Sequence, residues 1–272
     1  MESSDTTVGS LLRRWRRRRG MTQLDLSLEA NLSARHLSFL ETGRSQPSRE
    51  SLLRLCRILD VPLGERNVML AAAGLSPSYR RTPFSDPALR QVRRALSFLL
   101  ERHEPYPAIA VDPGWTVLMA NDAYVRFLEW LGDTKLAVAE GRSVHSEPPI
   151  AGSNALLPLF DPKGLRSRVV NFDELAPLML ARLYRESVHH PGARELLGRL
   201  QDFPGCPSPW DGDIAETQLI AHLVLERETV RISTFSTLTS LGSPQDLTAH
   251  EVQLETFFPA DEASESFFRR HA

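Results

Sequence analysis

The stretch TQLDLSLEANLSARHLSFLET at residues 22–42 constrains this chain more than any other, because it prescribes two short helices and the turn between them. Thr22 is an N-cap, its hydroxyl able to accept from a backbone N–H two or three residues on. The helix it opens carries Leu26 and Ala30 on one face at i, i+4 spacing. Asn31 follows where a tight turn needs a left-handed or strained conformation, which Asn tolerates better than most residues. Ser33 caps the second helix, which buries Leu37 and Leu40, and Gly43 stands at the C′ position that ends it. Ala34, Arg35, Ser38 and Phe39 are left on neighbouring or outward faces. A polar, Arg-bearing face on the second of two short helices matches the way a recognition helix enters the major groove. An ordinary helical hairpin would show the same caps, so the flanking sequence has to discriminate.

Charge supports the nucleic-acid reading, although the whole-chain net charge of −2 hides it. Residues 1–81 hold 14 arginines against 8 acidic residues, a net of +6; the remainder holds 18 Lys and Arg against 26 acidic residues, a net of −8. A basic head on an acidic body is the asymmetry of a chain with one domain facing nucleic acid. The run Arg13-Arg14-Trp15-Arg16-Arg17-Arg18-Arg19 does not establish this alone, since cations at a helix C-terminus also complement the helix dipole. One or two of these arginines are expected on phosphate.

From Leu11 to Arg80 the chain resembles the XRE (lambda-repressor-like) helix-turn-helix family. The resemblance rests on Thr22-Gln23, on the run from Leu37 through Arg44, and on Pro47-Ser48 ahead of a fourth helix. It continues through LLRLCRILDVPLGERNVMLAAAGLSPSYR at residues 52–80, which is similar to the MmyB-like branch, where this module precedes a ligand-binding domain. The resemblance implies a DNA face of Gln23, Ser33, Arg35, His36, Ser38, Phe39, Arg44 and Ser48, with Gln23 on a phosphate and Arg35 reading bases. Ala34 and Phe39 stand where some relatives place amides, so the base code does not transfer.

Helices are expected at residues 8–19, 22–30, 33–42, 49–60 and 64–73, with a head at 1–78 and a linker at 79–85. Asp86-Pro87 opens a further helix with Leu89, Val92, Leu96 and Leu99-Leu100 as its apolar stripe. The period then changes: residues 108–111, the Asp112-Pro-Gly114 turn and residues 115–120 read as a β-hairpin, and Asn121 caps the helix after it. Residues 133–158 are poorly periodic, helices return at 173–188 and 191–202, and strands are expected at 216–226 and 229–240. The hairpin followed by an Asn-led helix is how a PAS-like domain begins. VDPGWTVLMAN at residues 111–121 and SLGSPQDLTAHEVQLETFFPADEAS near the end are similar to the two ends of an MmyB-like ligand-binding domain. The middle is less alike: residues 189–215 lack the Trp-Ala-Arg-His-like stretch of relatives, and Trp210 is the nearest tryptophan. The expected fold class is therefore α+β, an all-α five-helix lambda-repressor-like domain followed by a PAS-like α/β domain at residues 86–272.

No glycine-rich phosphate loop, nucleophile elbow or zincin motif occurs, so no enzyme is expected, with no catalytic residue and no metal. His189-His190 lacks ligands at metal spacing, and Asp211-Gly212-Asp213 lacks the rest of a calcium loop. Cys56 and Cys206 read as reduced thiols, and the polar N-terminus and lack of long apolar runs point to the cytoplasm. Trp115, Val117, Phe127, Leu223, Leu225, Val230 and Ile232 are the apolar residues that would line a cavity under a PAS-like sheet, though each is equally a core residue. The resemblance implies a fatty-acid-like or other lipophilic effector, with Arg182, Tyr184, Arg185 and His222 as head-group partners and no obligate cofactor. Medium- to long-chain acids are expected to bind. The expected partners are a palindromic DNA operator and a second copy of the chain. A ligand-independent regulator, whose second domain serves only dimerisation or protein contact, stands as the alternative.

Overall fold

The computed structural model describes residues 7–132, 151–188, 190–208, 222–242 and 246–271. Two compact units emerge: Met1–Arg81 with Gln245–Leu247, and Thr82–Pro244 with Thr248–Ala272. The strand expected at 216–221, His189, Trp210 and the Asp211-Gly212-Asp213 turn lie outside the described residues.

The first unit contains α1 (Val8–Arg18), α2 (Gln23–Glu29), α3 (Ala34–Glu41), α4 (Arg49–Ile58) and α5 (Leu63–Ala72). Side-chain caps start four of them. Thr7, Thr22, Ser33 and Ser48 each accept from the backbone N–H three residues on, and Asp25 returns a bond to the Thr22 N–H to close a capping box. Asn31 adopts φ 51° at the α2–α3 turn, as its residue type allows, and Gly43 adopts φ 74° after α3. Leu12, Leu26, Leu37, Leu40, Leu52, Leu55 and Met69 meet in one core. Gly9 lets α1 approach α3 closely: a Cβ there would lie 2.5 Å from the Leu40 carbonyl oxygen. The unit extends past the expected boundary at residue 78, because the Asn67 side chain bonds Ser78 N–H and both backbone groups of Tyr79.

In the second unit Asp86 caps a 3-10 turn, Pro87–Leu89, that leads into α6 (Arg90–Arg102). Then come β1 (Ala108–Val111), β2 (Val117–Ala120), α7 (Asp122–Leu131), α8 (Leu157–Phe160), α9 (Phe172–Ser187) and α10 (Pro191–Gln201). The chain closes with β3 (His222–Arg227), β4 (Val230–Ser240), α11 (Leu247–Glu251), β5 (Gln253–Pro259) and α12 (Glu262–Arg270). The five strands form one antiparallel sheet in the order β2-β1-β5-β4-β3. One face takes α6 through Leu96 and Leu100, which pack on Ala108, Ala110, Val252 and Leu254. Leu99, expected in that apolar stripe, is instead 39% exposed. The other face carries Ile109, Val111, Leu225 and Ile232 into the main core with α7, α9, α10 and α12. β1 is thus buried on both sides, which explains its unbroken run of small and branched apolar residues.

Candidate nucleic-acid interface and ligand cavity

The exposed side of α3 is held from beneath by Glu41. Its carboxylate is fully buried and takes two bonds from Arg16, Nε to Oε1 at 2.6 Å and Nη2 to Oε2 at 2.8 Å. Gln23 Nε2 adds a third at 2.8 Å, and Arg13 Nη2 donates to the Glu41 carbonyl oxygen at 3.0 Å. Burial pushes this carboxyl up. The bonds from Arg16 and Gln23, with the charges of Arg16 and Arg13, outweigh it and hold Glu41 below the ordinary glutamate range. Gln23, expected on a phosphate, therefore spends its donor on Glu41 in this structure.

Much of the arginine run is likewise committed within the fold. Arg16 is buried against Glu41, Arg14 reaches Glu65 at 3.4 Å, and Arg19 bonds the Leu59 carbonyl at 2.8 Å and Asp60 at 2.9 Å. Arg17 and Arg18 remain exposed.

On α3, Ser33, Ala34 and Arg35 are exposed, while His36, Ser38 and Phe39 are half-buried. The Phe39 ring carries two guanidiniums, Arg35 at 5.3 Å and Arg44 at 5.8 Å from its centroid. Such contacts are worth about 0.5–1 kcal/mol at exposed sites, enough to bias both side chains toward one surface. Arg44 is brought back by the turn at Gly43, where its N–H bonds the Phe39 carbonyl at 2.9 Å. Ser33 and Ser48 use their hydroxyls as caps, to His36 N–H and Ser51 N–H. Arg35, Phe39 and Arg44 are brought together; Gln23 faces Glu41, and Ser48 opens α4.

In the second unit a cavity of about 160 Å³ lies between the sheet and the helices. Trp115, Phe127, Arg182, Leu223 and Leu225 line it, beside Tyr124, Leu175, Met179 and Phe257. Val117 and Ile232 are buried in the adjoining core rather than in the wall. Val230 is 39% exposed at the start of β4. Tyr184, next to the wall residues of α9, is 42% exposed, because neighbouring helix positions point about 100° apart. Arg185 borders a second, shallow groove with Arg182, Glu186 and His190, outside the cavity wall, and His222 is exposed at the head of β3. Three of the four expected head-group partners thus lie away from the cavity.

Trp115 is positioned by its turn. Asp112 Oδ1 accepts from Gly114 N–H at 2.8 Å and Thr116 N–H at 2.9 Å, and Trp115 sits between at φ 58°. A bulky residue there costs on the order of 1–3 kcal/mol of strain, the kind that surrounding structure must hold in place. Arg182 lies 5.5 Å from the Trp115 ring centroid, with Nε bonded to Glu186 at 3.0 Å and Nη2 to Gln253 at 3.2 Å.

The wall's polar groups include several that sequence reasoning missed: Asn154, Thr234, Ser236 and Glu255. Glu255 is 6% exposed, and Ser236 Oγ donates to its Oε1 at 2.7 Å. Burial pushes its carboxyl up to about 7, against Ser236 and Arg182, which pull it down. Its signal in the sequence was the lone acidic residue within an apolar and aromatic run, QLETFFP.

A family profile for the MmyB-like transcription regulator ligand binding domain matches residues 92–270, and a helix-turn-helix profile matches residues 12–66. The chain belongs to the MmyB-like transcription regulators. Among curated proteins, the transcriptional regulator ClgR of Mycobacterium tuberculosis, from strains CDC 1551 / Oshkosh and ATCC 25618 / H37Rv, is 40% identical over 67 residues. That match covers 25% of this MmyB-like chain and 57% of ClgR, so the chain spans little more than half the length of these relatives. A solved RNA-binding light-oxygen-voltage receptor aligns over 100% of the chain and 62% of its own at 11% identity; its TM-score of 0.28 carries no argument about the fold. The profiles place a helix-turn-helix domain ahead of an MmyB-like ligand-binding domain in the chain.

Other chemistry in this MmyB-like chain is muted. Burial pushes the Cys56 thiol up to about 11 and raises that of Cys206, which disfavours thiolate at either. Among the described residues no three His, Cys, Asp or Glu side chains cluster closely enough to hold a metal, and no helix is long and apolar enough to cross a membrane.

Proposed function

We propose that this protein is a sequence-specific, non-enzymatic transcriptional regulator that binds a palindromic operator as a homodimer and is tuned by a small lipophilic acid. The observation that carries the DNA half is the Arg35–Phe39–Arg44 surface on a helix braced by a buried carboxylate. Arg35 is the base reader, and a guanidinium can grip guanine bidentately. Arg44 anchors to phosphate, as does Gln23 once it exchanges Glu41 for DNA. Ser33, His36, Ser38 and Ser48 complete the proposed DNA-contact set. The head is residues 1–78, the linker 79–85, whose first residues to Arg81 belong to the head's compact unit, and the sensor 86–272. The sensor is PAS-like: a hairpin, an Asn121-capped helix and helices closing over one sheet face support that reading. Effector binding shifts the dimer between DNA-competent and incompetent arrangements, which requires different affinities for the two.

The effector is a fatty acid from the short end of the medium-chain range. A cavity of about 160 Å³ is near the roughly 150 Å³ that holds benzene and below the usual range for drug-sized ligands. About six to eight carbons fit; the longer acids expected from the resemblance require the wall to open. Binding selection from a random DNA library, repeated with Arg35→Ala, tests the DNA half. The substitution is expected to weaken the selected operator by about 1–3 kcal/mol and to relax one base position. Equal loss on operator and random DNA would make Arg35 a phosphate contact and remove the base-reading role.

A further inference from the structure

Among the described residues Glu255 is the one carboxylate in the cavity wall. It lies mid-strand on β5, opposite Ile109 of β1 and Leu238 of β4. Ser236 Oγ of β4 donates to its Oε1 at 2.7 Å. The positive charge acting on it is Arg182 of α9, whose Nε and Nη2 are committed to Glu186 and Gln253. From α7 the titratable group in the same wall is Tyr124. A buried carboxyl in the wall of a largely apolar cavity, with one hydroxyl bonded to it and one guanidinium nearby, is poised to share a proton with a second acid.

We propose that Glu255 holds the head of an organic-acid effector through a single shared proton, which couples effector binding to pH. This rests on the acid-effector reading above. Two adjoining carboxylates in a low-dielectric site cannot both ionise. Binding therefore joins an ionised Glu255, one proton from solvent and an ionised ligand into a pair with one net negative charge. The Glu255 O–H donates to the ligand carboxylate, and Arg182 faces the charge that remains. Below pH of about 7 the proton is already on Glu255; above it, each bound acid must take one up, and affinity falls toward tenfold per pH unit.

The experiment is titration calorimetry of the full-length protein with hexanoate at pH 6.5 and 8.5, each in two buffers of different ionisation enthalpy. The expected result is a Kd about 25-fold weaker at pH 8.5, with close to one proton taken up per hexanoate there. Glu255→Gln, whose amide donates at any pH, should bring the two Kd values within about twofold. Should that variant not fold, the proton count on the unaltered protein still decides. Equal hexanoate affinity at both pH values without proton uptake overturns the proposal and leaves the acid-effector reading standing. Binding of 1-hexanol but not hexanoate, or of neither, overturns both.

Discussion

Replacing Glu41 by Gln removes the charge from the most heavily bonded side chain of the head while keeping its shape. The Arg16 guanidinium, 9% exposed as a residue, is then left buried beside an amide that can satisfy only one of its two donors. Removing one partner of a buried ion pair costs about 3–5 kcal/mol, because the orphaned charge stays desolvated. A unit the size of Met1–Arg81 has about 4–12 kcal/mol of stability in all, so the loss is a large fraction of it. With about 4–8 °C per kcal/mol for a domain of this size, the head transition should fall by at least about 12 °C in scanning calorimetry at pH 7. The pH dependence has a definite sign. Glu41 is held below the ordinary glutamate range, so its stabilisation is fully present above that range and is lost as pH falls through the depressed value. The unaltered head should therefore lose stability on acidification below the glutamate range, and Glu41→Gln should flatten part of that slope. A fall of less than about 4 °C, corresponding to under about 1 kcal/mol, would refute the account of Glu41 as the brace of the DNA face.

Two further outcomes follow from the head. Arg44→Ala should weaken binding on all DNA sequences alike and lower the salt slope by about 0.9 for each phosphate that Arg44 neutralises; a slope unchanged in filter binding across salt removes Arg44 from the phosphate set. Gly9→Ala should destabilise the head despite the roughly 1 kcal/mol gain in helix propensity, because its Cβ would sit 2.5 Å from one carbonyl oxygen and 2.8 Å from another. Urea unfolding should show a net loss, in the range of about 1–3 kcal/mol for overpacking, and a stabilised variant would contradict the close α1–α3 approach.

The head was legible because its signals are local. Thr22, Ser33 and Ser48 cap helices within three residues of themselves, and Asn31 and Gly43 mark turns by residue type alone. What escaped notice there depends on distance: Arg16 and Glu41 are 25 positions apart, so a solvated-looking arginine run concealed a buried pair. The second unit was harder for the same reason. Its hairpin and Asn121 cap are local and were read, whereas β5 and α12 were not anticipated as elements at all. β5 is defined by pairing with β1 at the far end of the domain and with β4, and the burial of Glu255 follows only from that pairing. Of the three α9 residues singled out, Arg182 lines the cavity while Tyr184 and Arg185 do not, since a helix stripe chosen without its facing surface is ambiguous by a residue or two.

Phe39 places an evolutionary constraint on the proposed DNA face. One ring orients both the proposed base reader and the proposed phosphate anchor. Operator preference and overall grip are therefore tethered to a single codon. A lineage that exchanges Phe39 for the amide of a relative gains a hydrogen-bonding reader but lets two arginines loose at once. Retuning such a regulator to a new promoter is then a coordinated change at three positions, and the intermediates bind everything less well.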